Sequence, residues 1–137
     1  MIAAVRDVVD GGRVLKVNLE TGVLGQPKRM AAASRLAIGA SADFLKTSGG
    51  KAAVSATPEA ATAMLGAIRA APRLVGLKVP GGLRALSDAS AYLDLTDRIM
   101  GPGWATPGTF RIGASSVYDA LIASIEGRAG TAAAGTY

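Results

Sequence analysis

Residues 42–48 read ADFLKTS and run straight into Gly49 and Gly50. An apolar run that ends on a lysine and breaks into small polar residues reads as a buried strand opening into a loop. Buried strands ordinarily continue in apolar residues, so a lysine at the end of one calls for a chemical reason. An amine held in a dry site is a nucleophile rather than a plain charge. The same pattern recurs on both sides: VLKVNLE at 14–20, LVGLKVP at 74–80 and TFRIGAS at 109–115, with Lys16, Lys78 and Arg111 in the place of Lys46. Helical patterning follows each run. A repeat of roughly 30 residues per strand and helix is that of βα units building a parallel sheet or barrel.

Outward from these runs the spacing predicts the remaining elements. A helix over 2–10 puts Ile2, Val5, Val8 and Val9 on one face, with Gly11 and Gly12 as its stop. Strand one is expected at about 13–19; alternation turns Leu15, Val17 and Leu19 one way and Lys16, Asn18 and Glu20 the other. A helix over roughly 26–39 leads to strand two at 42–46. Thr57 caps the next helix, Pro58 suits its first position, and Ala61, Met64, Leu65 and Ile68 form its stripe. Strand three spans 74–78. Ser87 is expected to cap a helix with Ala89, Tyr92, Leu93 and Ile99 inward, closed by Gly101 and Pro102. Strand four lies near 109–113, and Ser116 opens a last helix to about Glu126.

Composition removes much chemistry. The 137 residues include no cysteine and no histidine, which excludes disulfides, cysteine nucleophiles, imidazole bases and most transition-metal sites. The length suits one domain, about half the ~250 residues of a full βα barrel. Residues 1–128 are expected to form it, with 129–137 as a flexible tail. No apolar run approaches the ~20 residues that span a bilayer, and Met1 does not open a signal peptide, so a cytoplasmic, non-membrane protein is expected. The net charge of +5 is scattered and aromatics are sparse, unlike the clustered charge of a nucleic-acid surface. A small anionic substrate suits cations at strand ends better.

Active sites of βα barrels lie at the C-terminal ends of the strands, where Lys46 and Lys78 both sit. Neighbouring parallel strands are ~4.8 Å apart. Two ammonium groups ~6 Å apart at an effective dielectric near 20 repel by ~2–3 kcal/mol, enough to favour the neutral form of one. Read singly, either lysine could as well snorkel to solvent. Gly81-Gly82 and the stretch from Gly113 to Ser116, beside Arg84 and Arg111, suggest an anion site, since glycines admit a phosphate to backbone amides and a helix start offers free N–H groups. A Gly-Gly pair by itself is more often a turn.

The segments LKVNLETG, ADFLKTSGGKAAVSATPEAA, VGLKVPGGLRALSDASAYL and FRIGASS resemble, in order and spacing, the second half of the deoxyribose-phosphate aldolase family. The likeness runs from about Arg6 to Tyr137. It implies an α/β fold: one helix, then four βα units, the C-terminal half of a (β/α)8 TIM barrel. It also implies class I aldolase chemistry, the reversible cleavage of 2-deoxy-D-ribose 5-phosphate to D-glyceraldehyde 3-phosphate and acetaldehyde, a step of deoxyribonucleotide catabolism. By this resemblance Lys46 is the Schiff-base lysine, Lys78 perturbs it and assists proton transfer, and Lys16 lines the same pocket. Tyr137 matches a terminal tyrosine that helps move a proton, although the residues alone make it part of a mobile tail. Thr47, Gly50 and Lys51 after one lysine, and Gly81, Gly82 and Arg84 after the other, fall on the substrate and phosphate side. Gly113, Ser115 and Ser116 join them there. No metal or organic cofactor is implied, because the imine is the electron sink.

Departures qualify the likeness. Gly49 stands where the family usually has threonine, and Val79-Pro80 where it usually has Pro-Ala. The half of the barrel that carries the family's catalytic aspartate has no match in this sequence. A phosphate-binding half-barrel impaired in catalysis, and a lysine aldolase of altered substrate, are the rival expectations. Association into a homo-oligomer, or with an N-terminal half-barrel, is expected to complete the barrel.

Overall fold

A computed structural model of the chain describes residues 1–9, 12–49, 57–79, 83, 85–113 and 115–127. Helix α1 (Ile2–Val8) precedes strand β1 (Lys16–Asn18), and a four-residue helix α2 (Thr21–Leu24) follows at once. Then come α3 (Pro27–Gly39), β2 (Phe44–Lys46), α4 (Pro58–Arg69), β3 (Gly76–Val79), α5 (Leu86–Met100), β4 (Phe110–Ile112) and α6 (Ser115–Ile125). The four strands are all parallel and lie in chain order, β1-β2-β3-β4. This is the parallel βα arrangement expected from the four repeated runs, in the strand order of the half-barrel that the resemblance implies. The tail expected over 129–137 lies outside the described residues, as does Gly11.

Local chemistry explains most boundaries. At α4 the Thr57 hydroxyl accepts the Ala60 N–H at 3.2 Å and Pro58 occupies the first turn, as its sequence predicts. Helix α3 also opens on a proline and buries Met30, Ser34, Ala37 and Ile38, the spacing of a single helical face. Helix α5 differs from expectation. Its cap position is Ala85, not Ser87, because the Asp88 carboxylate reaches back to accept the Ala85 N–H at 3.0 Å and starts the helix a turn-fraction earlier. Its buried centre is Tyr92 and Thr96, with the Thr96 hydroxyl donating to the Tyr92 carbonyl at 2.7 Å. Leu93, expected inward, is 39% exposed on the flank of that stripe.

Period-two alternation splits the sheet into two different faces. Val17, Leu45, Leu77 and Phe110 form one row across the strands, and Val79 and Ile112 continue that face. Against it pack Ala37 and Ile38 of α3, Met64, Leu65 and Ile68 of α4, Tyr92 of α5 and Val117 of α6. Burial of this continuous apolar layer supplies the main stabilisation, at about 25 cal/mol per Å² of apolar surface. Helix α1 contributes little to it. Ile2 packs against the core, but Val5 and Val8 are 43% and 86% exposed, so its expected apolar face is covered only in part.

The N-terminal ends of the strands are held by charge. Arg6 pairs with Asp43 and donates to the Ser41 carbonyl at 3.0 Å and the Arg13 carbonyl at 3.1 Å. Asp43 accepts the Leu15 N–H at 2.8 Å, and Arg73 approaches it to 3.9 Å while donating to the Ile38 and Ala42 carbonyls. Those contacts tie α1, β1, β2 and the approach to β3 together at the end opposite Lys46 and Lys78. Among the described residues no helix is long and apolar enough to cross a membrane.

Candidate functional site

The second face of the sheet carries the cations. Asn18, Lys46, Lys78 and Arg111 stand in one register row across the four strands. One step toward the N-terminal ends, Lys16 stands beside Phe44, and Phe44 beside Gly76. Side chains at matching positions of parallel neighbours share a face, so Lys16, Lys46 and Lys78 are gathered on one surface. Lys46 and Lys78 are half-buried; Lys16 is exposed.

The floor of this face was not singled out from sequence. The Phe44 ring lies over Gly76, whose missing side chain makes the room: an added Cβ would stand 2.6 Å from Cδ1 of the ring. Phe44 is buried but belongs to this face rather than to the apolar core. Arg111, expected beside the anion loops, instead holds its guanidinium 4.4 Å from the Phe44 ring centroid and donates to the Pro107 carbonyl at 3.3 Å. The stack is a cation–π contact. An aromatic in one repeat and a glycine at its register partner in the next was the available signal.

Lys78 occupies the most constrained place. A Cβ on Gly113 would lie 2.8 Å from its Cε and 3.3 Å from its Nζ, so the glycine leaves space for the amine. Burial, first, and the positive charges of Lys16, Lys46 and Arg111, next, hold the Lys78 ammonium below the ordinary lysine value. The repulsion expected between strand-end lysines is thus expressed at Lys78.

Loops after the strands supply the rest. Beyond β1 the Leu19 N–H donates to the Lys46 carbonyl at 2.9 Å and the Thr21 N–H to the Thr47 carbonyl at 2.8 Å. The Thr47 N–H in turn donates to the Lys78 carbonyl at 3.3 Å. The Thr47 side chain is 0% exposed, and its hydroxyl, like that of Thr21, has no hydrogen-bond partner among the described residues. Glu20, which alternation turned toward the lysine face, accepts the Asn18 side-chain amide at 2.6 Å and the Gly49 N–H at 2.7 Å. On the other side, the Ser116 hydroxyl donates to the Leu83 carbonyl at 3.1 Å, tying the start of α6 to the segment before α5. Ser115 supplies the first backbone residue of α6. Gly50, Lys51, Gly81, Gly82, Arg84 and Tyr137 lie outside the described residues.

Comparison with known proteins gives the same pattern a family. The family model for DeoC/LacD family aldolases matches residues 11–106. A deoxyribose-phosphate aldolase of Agrobacterium fabrum is 48% identical over all 137 residues of this chain, which cover 53% of that relative. The apo crystal structure of a protein assigned as a deoxyribose-phosphate aldolase from Toxoplasma gondii ME49 superposes with a TM-score of 0.82 at 27% identity, over 92% of this chain and 50% of that one. A protein with the same assignment from Coccidioides immitis gives 0.74 at 27% identity, over 90% and 44%. The chain thus spans about half the length of the relatives it matches, and its four parallel βα units correspond to half of an aldolase barrel. On the matched segment and the shared fold together, the chain belongs to the DeoC/LacD aldolase family.

Proposed function

We propose that the chain carries the lysine site of a class I aldolase acting on 2-deoxy-D-ribose 5-phosphate, with Lys46 as the imine-forming amine. The observation that carries this reading is the in-register pair of Lys46 and Lys78, half-buried at the C-terminal ends of β2 and β3. The lowered pKa of Lys78 and the likeness to a deoxyribose-phosphate aldolase support it. In the synthetic direction the Lys46 amine bonds to the carbonyl carbon of acetaldehyde; the oxygen takes one proton from the amine and a second from a neighbouring acid and leaves as water, which gives an iminium. Loss of a proton from the adjacent carbon turns the iminium into an enamine. That carbon bonds to the aldehyde carbon of glyceraldehyde 3-phosphate, whose oxygen takes up a proton. Water then hydrolyses the imine and frees Lys46. Lys78, disfavoured as a cation, is suited to pass protons to and from the departing and forming oxygens. The exposed cations Lys16 and Arg111 make the face attractive to a phosphorylated substrate, and such membrane-impermeant metabolites fit a cytoplasmic setting.

A second reading is favoured by the open sheet. Among the described residues β1 and β4 each have one neighbour, and Lys16 meets solvent. We infer that the site works at full rate only when another half-barrel, from a second copy or an N-terminal half, pairs with these edges and dries the lysine face. The isolated chain is then a phosphate-binding half-barrel impaired in catalysis, slower by at least ~100-fold, the usual cost of one missing acid–base group.

The test is reductive trapping. Acetaldehyde and borohydride are expected to leave a reduced adduct on the peptide containing ADFLK. Adducts confined to Lys16 or Lys78 would sink the assignment of Lys46. Sedimentation at the concentration of the aldol assay checks the second reading, which is lost if a monomer turns over as fast as a full-length barrel.

A further inference from the structure

Glu20 adopts a backbone conformation that its side chain disfavours, with φ 48° and ψ 61°. A non-glycine residue held in the left-handed region is strained and persists where its surroundings fix it. Here the turn does so in part: the Glu20 carbonyl accepts the Val23 N–H at 2.9 Å and the Leu24 N–H at 3.3 Å, closing α2. The rest is done by the side chain. Beyond the last paired residues of β1 and β2, hydrogen bonding between the two segments continues from Leu19 to Lys46 and from Thr21 to Thr47. The next rung, at Gly49, has no backbone acceptor from the β1 side among the described residues; one oxygen of the Glu20 carboxylate takes it at 2.7 Å. That oxygen also holds the Asn18 amide at 2.6 Å, and Asn18 is the register partner of Lys46. Gly49 has no side chain to block the approach: a Cβ there would stand 2.6 Å from the same oxygen.

We propose that Glu20 is the positioning residue of the Lys46 loop, a charged clamp that fixes the segment Lys46–Gly49 by way of the Gly49 amide and the Asn18 side chain. A charge-assisted bond to a backbone N–H is stronger than a neutral one. It replaces the backbone rung that would have to come from a straight strand, which the left-handed turn at Glu20 forgoes. The turn lets the chain leave the sheet into α2 while its side chain stays behind on the neighbouring loop. The proposal rests on the reading of Lys46 as the nucleophilic amine, since the held loop begins at that residue.

Two variants separate a clamp from an acid or base. Glu20→Gln keeps an oxygen able to accept both N–H groups; Glu20→Ala removes it. Imine trapping at saturating acetaldehyde is expected to slow about 10-fold or more in Glu20→Ala, a modest case of the cost of a misplaced reacting group. Glu20→Gln is expected to stay within about 3-fold of the parent with an unchanged pH profile, because a neutral acceptor still makes the bonds. Equal losses in both variants, with a flattened pH profile, would assign a proton-transfer role and overturn the clamp; so would an unaltered Glu20→Ala. Hydrogen exchange at the Gly49 amide gives a second readout that needs no activity. It is expected to quicken about 10-fold in Glu20→Ala and little in Glu20→Gln, as the opening of a local contact requires. If the parent chain forms no adduct at Lys46, the reading of that lysine fails while exchange at Gly49 still decides the clamp. Should Glu20→Ala not fold, Glu20→Asp, one methylene shorter, takes its place in both measurements, and parental values in it overturn the proposal.

Discussion

Gly76→Ala is a small change with a large expected consequence. The new Cβ would stand 2.6 Å from Cδ1 of Phe44 and closer still to Cε1 and Cζ, about 1 Å inside the ~3.5–4 Å optimum for carbon pairs. The ring cannot simply swing aside. It is buried to 3% exposure and bears the Arg111 guanidinium on its face. Overpacking of a filled site costs ~1–3 kcal/mol, and a rigid ring across a paired strand places this case at the upper end, about 2–3 kcal/mol. With a urea slope near 2 kcal/mol per molar, the unfolding midpoint falls by roughly 1–1.5 M. Urea titrations followed by circular dichroism measure it directly. Phe44→Leu removes the ring, so Gly76→Ala combined with Phe44→Leu is expected to lose less than the sum of the single losses, with a coupling of at least ~1 kcal/mol. A Gly76→Ala midpoint within ~0.25 M of the parent, or strict additivity of the pair, refutes the placement of the ring over Gly76.

Two further outcomes concern titration. Burial, and after it the charges of Lys16, Lys46 and Arg111, hold Lys78 below its ordinary 10.5. The unfolded chain therefore binds more protons between the folded value and 10.5, and stability rises with pH across that window. Lys78→Met is expected to exceed the parent in urea midpoint at pH 7, with the gap narrowing toward pH 10.5; a constant gap would contradict this. At Asp43 burial alone pushes the carboxyl up, but the Leu15 N–H, the bond and charge of Arg6 and the charge of Arg73 outweigh it and hold it below 3.8. Its contribution is present above 3.8 and lost as pH falls through the lower folded value. Because the side chain is partly exposed, Asp43→Asn is expected to cost only about 1 kcal/mol at neutral pH, the range of solvent-screened pairs. Urea midpoints should show that loss shrinking in acid, and a loss that grows there would count against the network.

The repeat that encodes the sheet was legible because βα units write themselves locally. The period-two pattern around Lys16 and the Thr57-Pro58 start of α4 each depend on residues within a few positions of one another. Ser87 misled for the same reason. It looks like a cap, but the carboxylate of Asp88 fixes the start of α5 at Ala85. Phe44 over Gly76 is set by strand register, and no local window contains both residues. Glu20 was legible in direction and not in conformation: nothing marks a glutamate as left-handed, where a glycine would have advertised it. At the site, the sequence put the lysines on one face, while the stacking of Arg111 on Phe44 depended on a neighbour two strands away.

The strand order β1-β2-β3-β4 carries a consequence for how such a chain is made. Every strand docks beside the one synthesised just before it, so no later segment must thread between earlier ones. A nascent chain can therefore lay down the sheet from one side to the other as it leaves the ribosome, each βα unit templating the next. The growing margin is always the newest strand. The same vectorial logic makes such a sheet extensible by whole units, since a further unit joins at a margin without disturbing the rows of Leu45 and Leu77 or of Lys46 and Lys78 already in place.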